Sequence, residues 1–199
     1  MEIIFPRDFD VVGLRNFLES RVLNKKIFGV HYLFNYKEKN VKQAIWEMKF
    51  KSNKKVAEVF GKFLSFRIIE LCKTGDEYLI LPTPVHKKRR NERGFNQCEW
   101  LCKEIIKNIE KNIETSMRYC PNILIREKYT TKQSWSNKES RENKLKGAFN
   151  VSGKFQDKIT GAKIILVDDV LTTGSTIKEM HRTLIKFGAL EIISIVISH

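Results

Sequence analysis

The residues best equipped for chemistry lie together in one stretch, Ile164-Ile165-Leu166-Val167-Asp168-Asp169-Val170-Leu171-Thr172-Thr173-Gly174-Ser175-Thr176. Four apolar residues read as a buried strand, ended by the two adjacent acids Asp168 and Asp169. Thr172, Thr173, Gly174, Ser175 and Thr176 then lead into a helix predicted from Ile177 to Phe187. Hydroxyls and unpaired backbone N–H groups at a helix start form a cradle for phosphate, because the helix dipole and the orphan donors of the first turn both favour an anion. Paired carboxylates beside that cradle suit a polyol or a metal–phosphate ligand. A 5-phosphorylated ribose carrying a diphosphate presents all of these groups together. Two other phosphate motifs are missing: no G-x-x-x-x-G-K-S/T occurs, and no G-x-G-x-x-G follows a strand, which argues against a P-loop nucleotidase and against dinucleotide binding.

The elements that must position these groups alternate. A short amphipathic helix is predicted around Leu14, Phe17, Leu18, Val22 and Leu23, a strand over His31 to Tyr36, and two helices over Asn40 to Lys51 and Val56 to Cys72. Tyr78-Leu79-Ile80-Leu81 is a strand halted by Pro82-Thr83-Pro84, followed by a basic loop over 85–93 and a helix from Phe95-Asn96-Gln97 to about Ile109. Short strands are expected over Asn122 to Ile125 and Ala148 to Val151, and a last one over Ile192 to Ile197. Strands alternating with helices predict an α/β fold with a mostly parallel sheet flanked by helices. Ligands of such sheets bind beyond the carboxyl ends of the strands, where both the 82–94 and the 168–176 loops fall. Residues 1–36 read as a small N-terminal extension and 37–199 as the domain.

The block from Ile164 to Thr176 resembles the phosphoribosyl-diphosphate (PRPP) loop of type I phosphoribosyltransferases. Leu81-Pro82-Thr83-Pro84-Val85-His86 with Arg93-Gly94-Phe95-Asn96-Gln97 resembles a block of the ComF-type proteins, phosphoribosyltransferase-like proteins associated with competence for DNA uptake. So do Thr130-Thr131-Lys132-Gln133-Ser134 with Arg141 to Phe149, and Tyr36 with Met48-Lys49-Phe50-Lys51. The resemblance spans roughly residues 28–199. It implies a type I phosphoribosyltransferase-like fold that binds PRPP with Mg2+ and assists DNA uptake and natural transformation, with single-stranded DNA or other DNA-uptake proteins as partners. The alternative is a catalytic phosphoribosyltransferase of nucleotide salvage. ComF-type proteins usually begin with a Cys-rich zinc module just after a Phe-Pro; Phe5-Pro6-Arg7-Asp8-Phe9 keeps the Phe-Pro and lacks the cysteines, so no zinc is expected.

On that resemblance Thr172, Thr173, Gly174, Ser175 and Thr176 would hold the 5-phosphate. Asp168 and Asp169 would accept from the ribose 2- and 3-hydroxyls or hold Mg2+ through water, an oxygen-seeking ion that keeps its waters. Thr83, Pro84, Arg89, Arg90 and Arg93 form the expected diphosphate site, the arginines supplying forked donors. Residues 130–147, with Lys132, Gln133 and Arg141, would close over the ligand and limit its hydrolysis. Purine-salvage relatives place an Asp base before the Thr-Gly; here Thr172 stands there and cannot act so. No acceptor or general base is identified, and whether turnover occurs is left open.

Composition agrees. With 37 Lys and Arg against 23 Asp and Glu the formal charge is +14, which favours polyanionic partners. Residues 37–62 carry eight basic and three acidic side chains, 86–93 five and one, 126–146 seven and three. Cys98 and Cys102 share a helix face and read as small core residues rather than metal ligands. Trp46 and Trp100 read as core; Trp135 is open between packing and stacking on a base. No run of 18 apolar residues and no secretory pattern occurs, so a cytoplasmic protein without a membrane span is expected.

Overall fold

In a computed structural model, which describes residues 9–110, 116–129 and 145–199, eight strands and six α-helices are found among the described residues. The strands are β1 (Lys25–Ile27), β2 (Val30–Phe34), β3 (Glu77–Pro82), β4 (Ser116–Tyr119), β5 (Leu124–Arg126), β6 (Phe149–Val151), β7 (Lys163–Val170) and β8 (Glu191–Ser198). The helices are α1 (Val11–Glu19), α2 (Lys39–Phe50), α3 (Lys54–Leu71), α4 (Lys87–Arg93), α5 (Gln97–Ile109) and α6 (Ser175–Lys186). Six strands form one sheet in the order β1-β2-β8-β7-β3-β4, and β5 with β6 forms a separate antiparallel pair. Every neighbouring pair of the large sheet is parallel except β1 with β2. The mostly parallel sheet flanked by helices is the architecture that the alternating pattern predicts.

The central strands carry apolar side chains on both faces, as a sheet covered on both sides requires. On β7, Ile165 and Val167 join a core built with Ala44 and Met48 of α2, Phe60, Leu64 and Ile68 of α3, and Leu101 and Ile105 of α5. Ile164 and Leu166 face the opposite way, into a core with Ile177, Met180 and Leu184 of α6 and the β5–β6 pair. Period-2 alternation therefore carries Asp169 to the α2 and α5 side. The helix stripes repeat at three and four residues: Val56, Phe60, Leu64 and Ile68 are all fully buried. Cys98 and Cys102 are buried and free of disulfides, as their shared helix face suggested.

Four readings of the sequence are revised. The two acids do not end β7: the strand runs on to Val170 because β8 is long enough to partner it, with Asp168 opposite Val196 and Val170 opposite Ser198. The basic stretch after Pro84 is no loop but α4, made of helix-forming Lys, Arg and Glu, capped by the His86 ring accepting from the Lys88 N–H and closed by Gly94 at φ 78°. β4 escapes the pattern because Ser116-Met117-Arg118-Tyr119 is a short edge strand without a buried residue. Residues 25–34, placed by sequence in an N-terminal extension, supply two strands of the large sheet; β2 lies between β1 and β8 with Leu33 and Phe34 buried.

Candidate functional site

Four segments meet at the carboxyl ends of β7 and β3 around a cavity of about 950 Å3. The end of β7 contributes Asp168 and Asp169, the turn after it Thr172 and the start of α6 Thr176; the end of β3 contributes Thr83 and Pro84; α4 contributes Arg89 and Arg93; and α2 contributes Lys39, Lys42, Trp46, Lys49 and Phe50. Gln97 and Cys98 of α5 and Arg126 of β5 complete the wall. Seven basic side chains (Lys37, Lys39, Lys42, Lys49, Arg89, Arg93 and Arg126) and two carboxylates line it among the described residues.

The turn into α6 is built as the sequence requires. Gly174, at φ 76° and ψ −4°, sits in the left-handed region at the N-cap and supplies no capping side chain, while the Ser175 N–H donates to the Thr173 hydroxyl at 3.5 Å. The Thr173 and Ser175 hydroxyls lie 2.8 Å apart and share a hydrogen bond. Of residues 172–176, which lie at a helix N-terminus, Thr172 and Thr176 line the cavity wall.

The carboxylate pair is more heavily engaged than the sequence suggests. Asp169 is buried, and both of its oxygens are occupied: the Lys49 ammonium lies 2.7 Å from Oδ1, and the Gln97 amide donates to Oδ2 at 2.6 Å. The Gln97 carbonyl accepts in turn from Arg93 at 3.4 Å. Asp168 accepts the Asp169 N–H at 2.9 Å and the Cys98 thiol at 3.5 Å on Oδ1; its Oδ2 has no hydrogen-bond partner among the described residues. Burial, and then the charge of Asp169, pushes the Asp168 carboxyl up to about 7. Burial works to lower Lys49, but the two carboxylates outweigh it and hold its proton more firmly than usual. Burial and then the neighbouring acids raise the Cys98 thiol well above its ordinary range, so it stays a protonated donor.

Cys98, Asp168 and Asp169 bring one potential ligand atom each within 4.8 Å of one another. The Lys49 ammonium beside Asp169 opposes a second cation there, because like charges repel at short range. An ion held by both carboxylates would lie against that ammonium, and Asp168, whose Oδ2 has no hydrogen-bond partner among the described residues, is the carboxylate better placed to reach Mg2+ through water.

The diphosphate expectations divide. Thr83 lines the cavity; its hydroxyl is buried and has no hydrogen-bond partner among the described residues, while Asn96 donates to the Thr83 carbonyl at 3.0 Å. Arg89 and Arg93 reach the cavity, four residues apart on one face of α4. Arg93 is lowered first by burial and next by the charge of Arg89, and Arg126 likewise, so three guanidiniums crowd one wall. Arg90 does not join them: helical rotation turns it to a bidentate ion pair with Glu99 of α5, the second contact at 3.1 Å. Lys132, Gln133, Arg141 and Trp135 lie outside the described residues.

Sequence reasoning gave no site role to Lys49, Gln97, Arg126 or the face of α2, although Lys49 and Gln97 both stand in the blocks that resemble ComF-type proteins; positions 39, 42, 46 and 49 of α2 also recur at helical spacing. Trp46, read as core, is half-buried on the cavity wall beside Phe50, their ring centroids 5.8 Å apart. Trp100 stacks on Phe95 at 4.1 Å and packs against the core.

Comparison with known proteins agrees with this geometry. Residues 123–198 match the phosphoribosyl transferase domain family. The DNA utilization protein YhgH of Escherichia coli O6:H1 is 28% identical over 148 residues, covering 73% of this chain and 61% of that protein. Competence protein F of Haemophilus influenzae is 34% identical over 114 residues, 57% of this chain and 46% of the relative. The chain thus spans about three fifths, or less, of the length of these curated relatives. A hypoxanthine-guanine phosphoribosyltransferase of Bacillus anthracis superposes with a TM-score of 0.44 at 11% identity, over 72% of this chain and 68% of that one.

Proposed function

We propose that this chain, a ComF-type phosphoribosyltransferase-like protein, binds PRPP in the cavity between α2, α4 and the β7–α6 turn and serves in the handling of DNA during uptake. One observation carries the ligand: a phosphate cradle at the start of α6 and a carboxylate pair face the same basic cavity of about 950 Å3. In this reading the 5-phosphate sits on the 173–176 backbone and hydroxyls, and the Asp168 Oδ2 accepts from a ribose hydroxyl. The diphosphate lies toward Thr83, Arg89, Arg93 and Arg126. Asp169 holds Lys49 and Gln97 in place instead of touching the sugar. Magnesium bound with the diphosphate would neutralise its charge, and Asp168 is the carboxylate left to reach it through water.

The DNA role rests on the names of the relatives and on the charge of +14. Single strands would follow the basic surface, with exposed aromatics stacking on bases. The reading is of a cytoplasmic protein; no described helix is long and apolar enough to cross a membrane.

Titration calorimetry with PRPP and with ribose 5-phosphate tests the ligand. Saturable binding that Asp168→Asn weakens supports the reading, and absence of binding by the folded wild-type protein refutes it. A second reading, catalytic transfer to a base, is favoured by the Trp46–Phe50 wall, where a planar acceptor could lie. Isotope-labelled PRPP incubated with each common nucleobase decides it, a labelled nucleotide product being the expected sign of turnover.

A further inference from the structure

We infer that Lys49 supplies, beside the carboxylate pair, the positive charge that a ligand-bridging metal would otherwise supply, so that binding of a phosphorylated pentose here does not require a divalent cation. The inference rests on the PRPP reading above and deepens it. Two adjacent carboxylates on the wall of a phosphate site repel an incoming polyanion, and a cation must lie between them and the ligand. Here the protein supplies that cation itself. The Lys49 ammonium lies 2.7 Å from Asp169 Oδ1, on the cavity wall, with its side chain 21% exposed and that of Asp169 8%. An ammonium carries three donors. Asp169 takes one, which leaves two for a sugar or diphosphate oxygen.

The surroundings hold Lys49 in this role. Asp169 is pinned from its other side by Gln97 at 2.6 Å, and Gln97 is itself met by Arg93. The series Lys49–Asp169–Gln97–Arg93 thus alternates cation, anion, amide and cation across the cavity floor. It fixes the lysine from α2 and the arginine from α4 to a single carboxylate on β7. A metal seeking both carboxylates would lie against the Lys49 ammonium, whose like charge opposes it. The third nearby group, the Cys98 thiol, lies 3.5 Å from Asp168 Oδ1 and donates to it. Arg89, Arg93 and Arg126, which also line the cavity, supply further positive charge. Lys49 is a positioning and charge-compensating residue in this account.

The test is PRPP binding measured by calorimetry in excess Mg2+ and in EDTA, on the wild type, Lys49→Met and Lys49→Arg. The wild type is expected to bind PRPP in EDTA within about threefold of its affinity in Mg2+, half a decade being under 1 kcal/mol. Lys49→Met is expected to lose at least about tenfold in EDTA and to recover part of that in Mg2+; Lys49→Arg, which keeps the charge, is expected to bind in EDTA. Mg2+ titrated alone is expected to bind Lys49→Met and not the wild type. Wild-type binding in Mg2+ that vanishes in EDTA would overturn the inference while leaving the PRPP reading in place, and this measurement needs no variant to fold. Equal Mg2+ dependence in the wild type and Lys49→Met would also overturn it. Absence of PRPP binding in both media would instead remove the reading on which it rests.

Discussion

At the scale of single residues, the cavity sorts groups that look equivalent in the sequence. Arg89, Arg90 and Arg93 are near neighbours, but only two share the cavity face of α4, and the third is held by Glu99. Arg93→Ala is therefore expected to weaken PRPP at least about tenfold, while ribose 5-phosphate, which lacks the diphosphate, loses much less. Parallel calorimetric titrations check this, and equal losses would argue against a diphosphate role. Arg90→Ala is expected to leave both affinities near the wild type. Glu179 supports a separate prediction. Burial opposes its charge, but Arg182 at 2.8 Å and the Gly147 N–H at 2.6 Å outweigh it and hold the carboxyl below its ordinary range. A lowered folded value means stability that is present above the unfolded carboxylate range and lost as the pH falls through the folded one. Glu179→Gln is thus expected to cost about 1–2 kcal/mol near neutrality and progressively less below about pH 4, read from urea unfolding at several pH values.

At the scale of elements, the cavity depends on helices held at set distances from the sheet. Gly61 of α3 is where α5 comes closest: a Cβ there would stand 2.5 Å from the Glu104 Cβ. Gly61→Ala gains about 1 kcal/mol of helix propensity and loses about 1–3 kcal/mol to overpacking. The net expectation is a loss of up to about 2 kcal/mol, measured by denaturant midpoint; a gain would show that α3 and α5 can part freely. The same scale explains the missed elements. α4 was read as a loop because its seven residues carry no apolar stripe, none of them being buried. β1 and β4 are short edge strands whose alternation is too brief to read. β7 was read too short because its extension across both acids depends on β8, nearly thirty residues further on.

At the scale of the whole molecule, β2 is an interior strand of the sheet, so the chain from Lys37 onward lacks a partner for β8 and leaves that edge bare. Such a truncated chain is expected to be insoluble or molten, seen as lost near-ultraviolet dichroism. The charge of +14 predicts that any affinity for single-stranded DNA falls steeply with salt, with a slope of log K against log salt near −0.7 per phosphate contacted. Anisotropy titrations at several salt concentrations read that slope, and no binding at low salt would exclude direct contact. What could be read in the chain itself was local: the strand–turn–helix around Asp168 and Thr173, the helix stripes of α3 and α5, and the alternation that made the sheet mostly parallel. Each is written in neighbouring residues with a short repeat. The partners of those residues were settled only by the tertiary fold. Lys49 meets Asp169 across 120 positions of chain, Gln97 meets it across 72, and Arg90 is drawn away by a neighbouring helix. Charge pairing in a confined cavity is set by distances in space, and no sequence spacing carries them.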